Sequence, residues 1–322
     1  MNRVMSVVAL VVALAGADRA AFAQAAGDAD LVAAVRAAIA AQDLPRGEAL
    51  VTEFRSSHGV TPEALDALSW LGRGAYAAGQ LDAADRYARE TYTLTVAALR
   101  SAKLDADSHL QTALGAAIET QALVGAARGA RSEAVYLLRK EIETYRDTAI
   151  HKRLAKNLNL LSLEGQPAPP LEATEYLDRP VPSFAELRGK VVLLFFWAHW
   201  CPDCKAESPI IAKLLDRYRD QGLVVVAPTQ RFGYVAGGRT AGPDEELRYI
   251  IQTRDTYYGF LRNQPVPVSV ANHNQYGVSS TPTLALLDRD GIVRVYHPGR
   301  MTEAELDTAI RGLLAPARGA QE

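Results

Sequence analysis

Two cysteines separated by two residues are the side chains of this sequence best suited to chemistry. They lie in the segment Cys201–Pro202–Asp203–Cys204, and the 322 residues contain no other cysteine. A cysteine thiolate attacks disulfides, and a second thiol one helical turn away can close a new disulfide with the first. The spacing therefore predicts dithiol–disulfide exchange, in which Cys201 attacks and Cys204 resolves the mixed disulfide.

The flanking residues predict a strand that leads into a helix at this segment. Val191–Trp197 is an unbroken apolar run, typical of a strand buried on both faces, and a helical pattern runs from Lys205 to about Gln221. A cysteine at a helix N-terminus meets unpaired N–H groups and the positive end of the helix dipole, which favour its thiolate. Pro202 suits the first helical turn, and Pro209 should kink the helix.

A zinc site is the alternative use of a Cys-x-x-Cys segment. A structural zinc ion takes four ligands. The sequence offers no further cysteine, and its six histidines include no pair at the His-x3–5-His spacing. We therefore favour redox use and expect neither a metal nor another cofactor.

Composition limits the classes of protein to which the chain can belong. The 35 Lys and Arg nearly balance the 37 Asp and Glu, for a net charge of −2, and 48% of residues are hydrophobic. Binding to nucleic acid depends on a basic surplus, which is missing here. The apolar content excludes bulk disorder, and the length suffices for two domains.

The N-terminus is typical of a secretory signal peptide. A short positive start at residues 1–3 precedes an apolar run, Val4–Ala17, and a small-x-small cleavage pattern follows at Ala20–Ala23. The run is shorter than the roughly 20 residues of a membrane span. We expect residues 1–23 to be removed, which would leave a soluble periplasmic or otherwise exported protein without a membrane span.

Two halves of different pattern follow the predicted signal peptide. Residues 28–163 are rich in Ala, Leu and Arg and show helical periodicity. Residues 164–170 carry three prolines and should form a linker. Residues 171–316 alternate short β-branched and aromatic runs with helical stretches. The sequence thus predicts an all-helical domain followed by an α/β domain.

The helical half contains hints of a repeat. Trp70–Gly72 and the step from Gly79 to Ala84 resemble the tetratricopeptide pattern, and the same step recurs from Gly129 to Ala134. The 50-residue interval between the two alanines breaks the period. We predict a tetratricopeptide-like array of helical hairpins. It would either offer a concave surface to a protein partner or simply use small residues for helix packing.

Several motifs of the second half match a known family. They are Gly165-x-x-Ala168-Pro169, Leu187–Leu193, Phe196–Cys204 and Tyr276–Thr283. On these motifs the chain resembles thioredoxin-fold proteins, more narrowly the TlpA-like periplasmic thiol–disulfide reductases and the broader redoxin family. The resemblance implies a mixed central sheet. It also implies a protein disulfide as substrate and an upstream thiol as electron donor.

The resemblance also implies a substrate site around the cysteine pair. Pro282 matches the family's cis-proline, which faces the two cysteines, and Thr281 would offer its backbone to the substrate chain. Pro202 and Trp200 complete the expected site, with Trp200 covering the approach to the disulfide.

Proton transfer should involve Glu207. Thioredoxins keep a buried aspartate in the central strand, where this sequence has Phe195. TlpA-like reductases often carry an acid three residues after the second cysteine, the position of Glu207. Residues three apart share a helix face, so Glu207 should relay the proton of Cys204. The alternative is a plain solvated glutamate.

Two residues should tune the redox potential in opposite directions. A negative charge at Asp203 disfavours the Cys201 thiolate and so favours a reductant, whereas a protonated His199 would have the reverse effect. Because a histidine is mostly neutral at pH 7, we predict a reductant. We interpret His199 itself as a surface residue.

Three alternatives stay open at this point. A thiol peroxidase is the rival enzyme, although Ala198 occupies the position where peroxidases place Thr or Ser. A partner-binding scaffold switched by the redox pair is the rival outside the enzymes. The insertion, residues 230–264, is either a lid that contacts substrate or a structural elaboration packed on the sheet.

Overall fold

The computed structural model describes residues 30–315. The predicted signal peptide, residues 1–23, lies outside this part of the chain. Between residues 30 and 315, no helix is both long enough and apolar enough to cross a membrane. Contacts divide the chain into two compact units, with the boundary between Val124 and Gly125.

The first unit is entirely helical in its described part. Its helices are α1 (Leu31–Ala40), α2 (Leu44–His58), α3 (Pro62–Ala77), α4 (Leu81–Ala98) and α5 (Ser108–Ala127), with a short 3-10 turn at Leu104–Ala106 before α5. Thr61 caps α3, because its hydroxyl accepts a hydrogen bond from the N–H of Ala64. Gly79 turns the chain into α4 with φ +73°, and Ala84 is fully buried after it. The tetratricopeptide assignment itself stays a prediction.

The second unit begins with two helices and not with the sheet. Helices α6 (Arg131–Thr144) and α7 (His151–Ser162) belong to this unit, although the sequence pattern grouped them with the helical half. Gly277 explains the packing of α7, because a Cβ at this position would overlap the backbone of Lys156. The glycine thus lets α7 lie directly against the loop that precedes Pro282.

The segment predicted to be a linker, residues 164–170, follows the edge of the sheet. The N–H of Gly165 donates to Val293 O at 2.8 Å, and the N–H of Ala168 donates to Gly291 O at 2.9 Å. Its backbone is therefore paired with residues 291–293 and does not cross open solvent.

The remaining elements form an α/β domain with a mixed sheet, which confirms the predicted fold class. The strands are β1 (Tyr176–Leu177), β2 (Val191–Phe196), β3 (Leu223–Val226), β4 (Val266–Pro267), β5 (Thr283–Leu287) and β6 (Val293–Pro298). The main sheet has the order β3-β2-β5-β6, in which β2 is parallel to β3 and antiparallel to β5. The strands β1 and β4 pair separately.

Four helices accompany the sheet: α8 (Pro202–Tyr218), α9 (Pro243–Tyr257), α10 (Val270–Gln275) and α11 (Glu303–Leu314). Short 3-10 turns lie at Arg219–Gln221, Ala236–Gly238 and Gly259–Asn263. The strand β4 ends at Pro267, and Val268 makes one isolated bridge to Thr229. The hydroxyl of Ser269 accepts from the N–H of Ala271 at 3.1 Å and starts α10 there.

The strand β2 is buried on both faces, as its apolar run predicts. Val191, Leu193 and Phe195 pack in one cluster with Ile211 of α8 and Ile310 of α11. Val192, Leu194 and Phe196 pack in a second cluster on the opposite face, with Tyr276 and Tyr296. This alternation follows from the two-residue period of a strand.

Candidate active site

The sheet register brings the cysteine segment and the proline loop together. Phe196, the last residue of β2, lies opposite Thr283, the first residue of β5. The chain that leaves β2 towards Cys201 therefore lies beside the chain that enters β5 from Pro282. The Thr281–Pro282 peptide bond is cis, as the resemblance implies.

The cysteines occupy the start of α8 and are joined by a disulfide. Their Cα atoms are 5.3 Å apart, within the usual range for a disulfide. Cys201 is the N-cap of the helix, and its sulfur accepts a hydrogen bond from the N–H of Cys204 at 2.9 Å. A thiolate at this position would receive the same hydrogen bond, together with the helix dipole.

Both cysteines are buried in the disulfide form. Cys201 keeps 1% of its surface exposed and Cys204 none. Pro202 and Asp203 are exposed beside them. Trp200 is 44% exposed, whereas Trp197 is fully buried in the same cluster as the cysteines. The buried Trp197 ring is held by a hydrogen bond from its Nε1–H to Ala227 O at 3.1 Å.

The backbone of Thr281 lies beside the disulfide. Its carbonyl oxygen lies 3.3 Å from Cys201 Sγ. Its N–H has no hydrogen-bond partner among residues 30–315. An extended substrate chain could pair with this backbone, as strands do. The carbonyl of Pro282 is already occupied, because it accepts from the N–H of Gly299 at 2.8 Å.

Glu207 is fully buried one helical turn after Cys204. The alternative of a solvated glutamate is therefore wrong. Its Oε1 accepts from the N–H of Met301 and its Oε2 from Arg300 Nε, each at 3.3 Å. Burial raises the pKa of Glu207, and these two donors oppose that rise without cancelling it. A carboxyl of this kind can take up and release a proton, and it lies one helical turn along α8 from Cys204.

His199 is buried, so its interpretation as a surface residue was wrong. It is 1% exposed, and its Nε2–H donates to Glu246 Oε1 at 3.1 Å. Burial lowers the pKa of His199, although Glu246 opposes this effect. Its Nδ1 has no hydrogen-bond partner within the described chain. The expectation failed because the enclosing residues lie more than 30 positions further along the chain.

The insertion, residues 230–264, packs on the domain core. Ile250, Tyr258 and Leu261 are fully buried in the cluster that contains both cysteines. The ring of Tyr258 lies 4.6 Å from that of Trp197. The segment therefore packs on the core as a structural elaboration, the second of the two alternatives.

Glu246 is the site residue that sequence reasoning missed. It lies in the first turn of α9 beside Asp244 and Glu245. Acids in the first turn of a helix are normally solvated, so the pattern gave no signal of burial. In the part of the chain described, no group of three or more His, Cys, Asp or Glu is arranged to hold a metal ion.

Comparison with known proteins locates the similarity in this half of the chain. The family model described as Redoxin matches residues 163–310. Thioredoxin-like protein YneN of Bacillus subtilis is 32% identical over 145 residues, which cover 45% of this chain and 76% of YneN. Thiol-disulfide oxidoreductase ResA of Halalkalibacterium halodurans is 29% identical over 118 residues, or 37% of this chain and 59% of that protein.

A solved structure is also similar over this region. The putative thiol:disulfide interchange protein DsbE from Chlorobium tepidum shares 24% identity, with a TM-score of 0.38, and covers 47% of this chain and 98% of its own. The identity to YneN over three quarters of that protein, together with the Redoxin match, establishes the relationship. The chain belongs to the redoxin family of thioredoxin-like thiol–disulfide oxidoreductases.

Proposed function

We propose that this protein is an exported protein-disulfide reductase that acts through Cys201 and Cys204. The single observation that supports this most is the placement of Cys201. Its sulfur caps α8, accepts the N–H of Cys204 and lies 3.3 Å from the Thr281 carbonyl oxygen. A nucleophilic sulfur beside a backbone whose N–H at Thr281 has no partner in the described chain suits a disulfide within an extended polypeptide.

The reaction transfers two electrons to the substrate. The Cys201 thiolate attacks one sulfur of the substrate disulfide, a mixed disulfide forms, and the other substrate sulfur leaves as a thiolate that takes a proton. Cys204 loses its proton to Glu207 and attacks Cys201 Sγ. The second substrate sulfur then leaves, and the Cys201–Cys204 disulfide forms. A dithiol donor of the exported compartment would reduce the pair again.

Charge near the cysteines favours the reducing direction. Asp203 is an exposed acid between the two cysteines, and its charge disfavours the Cys201 thiolate. Burial lowers the pKa of His199, so this ring supplies no positive charge to offset Asp203 at pH 7. A destabilised thiolate makes the reduced form less stable relative to the disulfide, and this lowers the reduction potential.

Trapping of the mixed disulfide tests this function. Cys204→Ser should accumulate a covalent adduct with disulfide-bonded insulin, because the resolving sulfur is absent. Cys201→Ser is the matched control and should form none. Insulin reduction by the wild type that persists in Cys201→Ser would contradict the assignment.

Glu207 is proposed as the proton relay for Cys204. Burial raises the pKa of Glu207. In Glu207→Gln the rate of the resolution step should therefore no longer depend on the titration of this carboxyl. The measurement is the rate of Cys204 attack on a preformed Cys201 adduct between pH 5 and 9. An unchanged pH profile would contradict the proposed role of Glu207 as the proton relay.

Export is proposed from the N-terminal sequence alone. The apolar run Val4–Ala17 and the cleavage pattern Ala20–Ala23 support it. Expression of the full chain, followed by N-terminal sequencing of the mature protein, should identify residue 24 as the first. Retention of residues 1–23 on protein from the cytosol would contradict export.

A partner-binding role is proposed for the helical residues 28–163. It rests on the repeat-like pattern of Trp70–Gly72 and of the steps Gly79–Ala84 and Gly129–Ala134. Association of a partner through this surface should survive in Cys201→Ser, whereas association through the sulfurs should disappear. Complete loss of association in that variant would contradict this role.

A further inference from the structure

The insertion is tied to the chain that leads into Cys201 by one buried carboxylate. Glu246 is 1% exposed and accepts three hydrogen bonds. His199 Nε2–H and the N–H of Phe232 donate to its Oε1 at 3.1 and 2.5 Å, and the N–H of Gly233 donates to its Oε2 at 2.9 Å. A buried carboxylate is stable only when its oxygens are hydrogen-bonded, and both oxygens of Glu246 are. It thereby joins α9, the loop after β3 and the residues before Cys201.

Aromatic rings of the insertion enclose His199. The rings of Phe232, Tyr234 and Tyr249 lie 5.4, 5.5 and 5.2 Å from the imidazole, each close to perpendicular. Such edge-to-face contacts are the favourable geometry for aromatic pairs. The ring therefore has little freedom to turn without moving the insertion.

The same insertion contacts the exposed tryptophan beside the nucleophile. The ring of Trp200 lies 5.6 Å from that of Phe232, at an interplanar angle of 82°. Trp200 is 44% exposed and immediately precedes Cys201. Together Trp200 and Phe232 form what we call the aromatic wall. Thr281 contacts the Cys201 sulfur with its carbonyl oxygen, and Trp200 of the wall is the residue that immediately precedes Cys201.

We propose that Glu246 and His199 are positioning residues that hold the aromatic wall in place for polypeptide substrates. The wall would contact an apolar or aromatic side chain next to the substrate cysteine while the substrate backbone pairs with Thr281. Small disulfides, which lack such side chains, would not need it. The inference rests on the proposed protein-disulfide reductase function and names the substrate feature that its site recognises.

Glu246→Gln tests the role of the carboxylate. A glutamine has one acceptor oxygen and one donor NH2 in place of two acceptors. At least one of the three donors of Glu246 would then face another donor, so the link between the insertion and His199 would be weakened. His199→Phe is the second variant, because it keeps an aromatic ring and removes the hydrogen bond to Glu246.

Glu245→Gln is the matched control. Its side chain is 43% exposed and pairs with Arg239 on the surface at 2.6 Å. An exposed ion pair contributes little to stability, and this one does not touch the residues before Cys201. The control changes the same charge one position away from Glu246.

The assay compares two substrates of the full-length reduced protein: insulin, and glutathione disulfide. In Glu246→Gln and His199→Phe, KM for insulin should rise about tenfold, the effect expected for the loss of one aromatic contact between the wall and the substrate. The kcat for insulin and the rate constant for glutathione disulfide should each change less than about twofold. The control should match the wild type for both substrates.

Two results would overturn the inference. One is a parallel fall in the rates with both substrates, which would mean that the variants only destabilise the site. The other is an unchanged KM for insulin in both variants. A wild type that reduces glutathione disulfide but not insulin would instead overturn the proposed function, together with the inference that depends on it.

Discussion

His273 should make the folded protein lose stability in mild acid. It lies in α10, is 1% exposed, and donates its Nδ1–H to Ser269 O at 3.2 Å. The ring of Phe196 contacts it edge-on at 5.5 Å, and its Nε2 has no partner among the described residues. Burial lowers its pKa from 6.5 to about 3, and the nearby charge of Lys152 acts in the same direction.

The sign of the effect follows from which state binds the proton. Between pH 3 and pH 6.5 the unfolded chain protonates this histidine and the folded protein does not, so stability falls as the pH falls. The interval from the pKa of the unfolded state, 6.5, down to pH 5 is about 1.5 pH units. Over each of these units, proton binding stabilises the unfolded state relative to the folded protein by about 1.36 kcal/mol. The contribution of His273 to the free energy of unfolding is therefore lower at pH 5 than at pH 7.5 by about 2 kcal/mol.

His273→Asn removes this titration and keeps an N–H for the Ser269 carbonyl. The smaller side chain should lower the stability by an amount that does not depend on pH. The difference between wild type and variant, measured by urea unfolding of the oxidised proteins, should narrow by about 2 kcal/mol from pH 7.5 to pH 5. In NMR spectra of the folded wild type, the His273 ring should not titrate above pH 4.

Parallel stability curves for the two proteins across this range would refute the reasoning. A His273 ring that titrates near pH 6.5 in the folded protein would refute it as well, since burial would then not exclude the proton.

Three further predictions concern the same domain. The ring of Tyr258 packs against Trp197, and its hydroxyl is buried without a hydrogen-bond partner in the described chain. Tyr258→Phe should therefore raise the free energy of unfolding by about 1 kcal/mol, and a fall in Tm would contradict this. Gly277→Ala would overlap the backbone of Lys156 and should cost about 2 kcal/mol or more in urea unfolding, whereas an unchanged midpoint would argue against this packing. Burial raises the pKa of Glu207, so the contribution of Glu207 to stability should fall as the pH rises above about 4.5. The free energy of unfolding of the wild type relative to Glu207→Gln should therefore fall from pH 4 to pH 8, and a constant difference would contradict this.

The sequence by itself determined the position of the cysteine pair and the elements that carry it. The cysteine spacing, the apolar run of β2 and the proline at the start of α8 are local signals, because strand period and helix capping depend on residues a few positions apart. The cis-proline and the mixed sheet followed from motifs shared with a family. These parts were predictable since each motif is continuous in the chain.

Only the tertiary structure decided the surroundings of the two sulfurs. Glu207 is buried because Arg300 and Met301, more than 90 residues away, close over it. His199 is buried because Glu246 and its neighbours fold back onto the chain before Cys201. Contacts of this kind depend on how the insertion packs on the sheet, and no pattern within either segment records that packing.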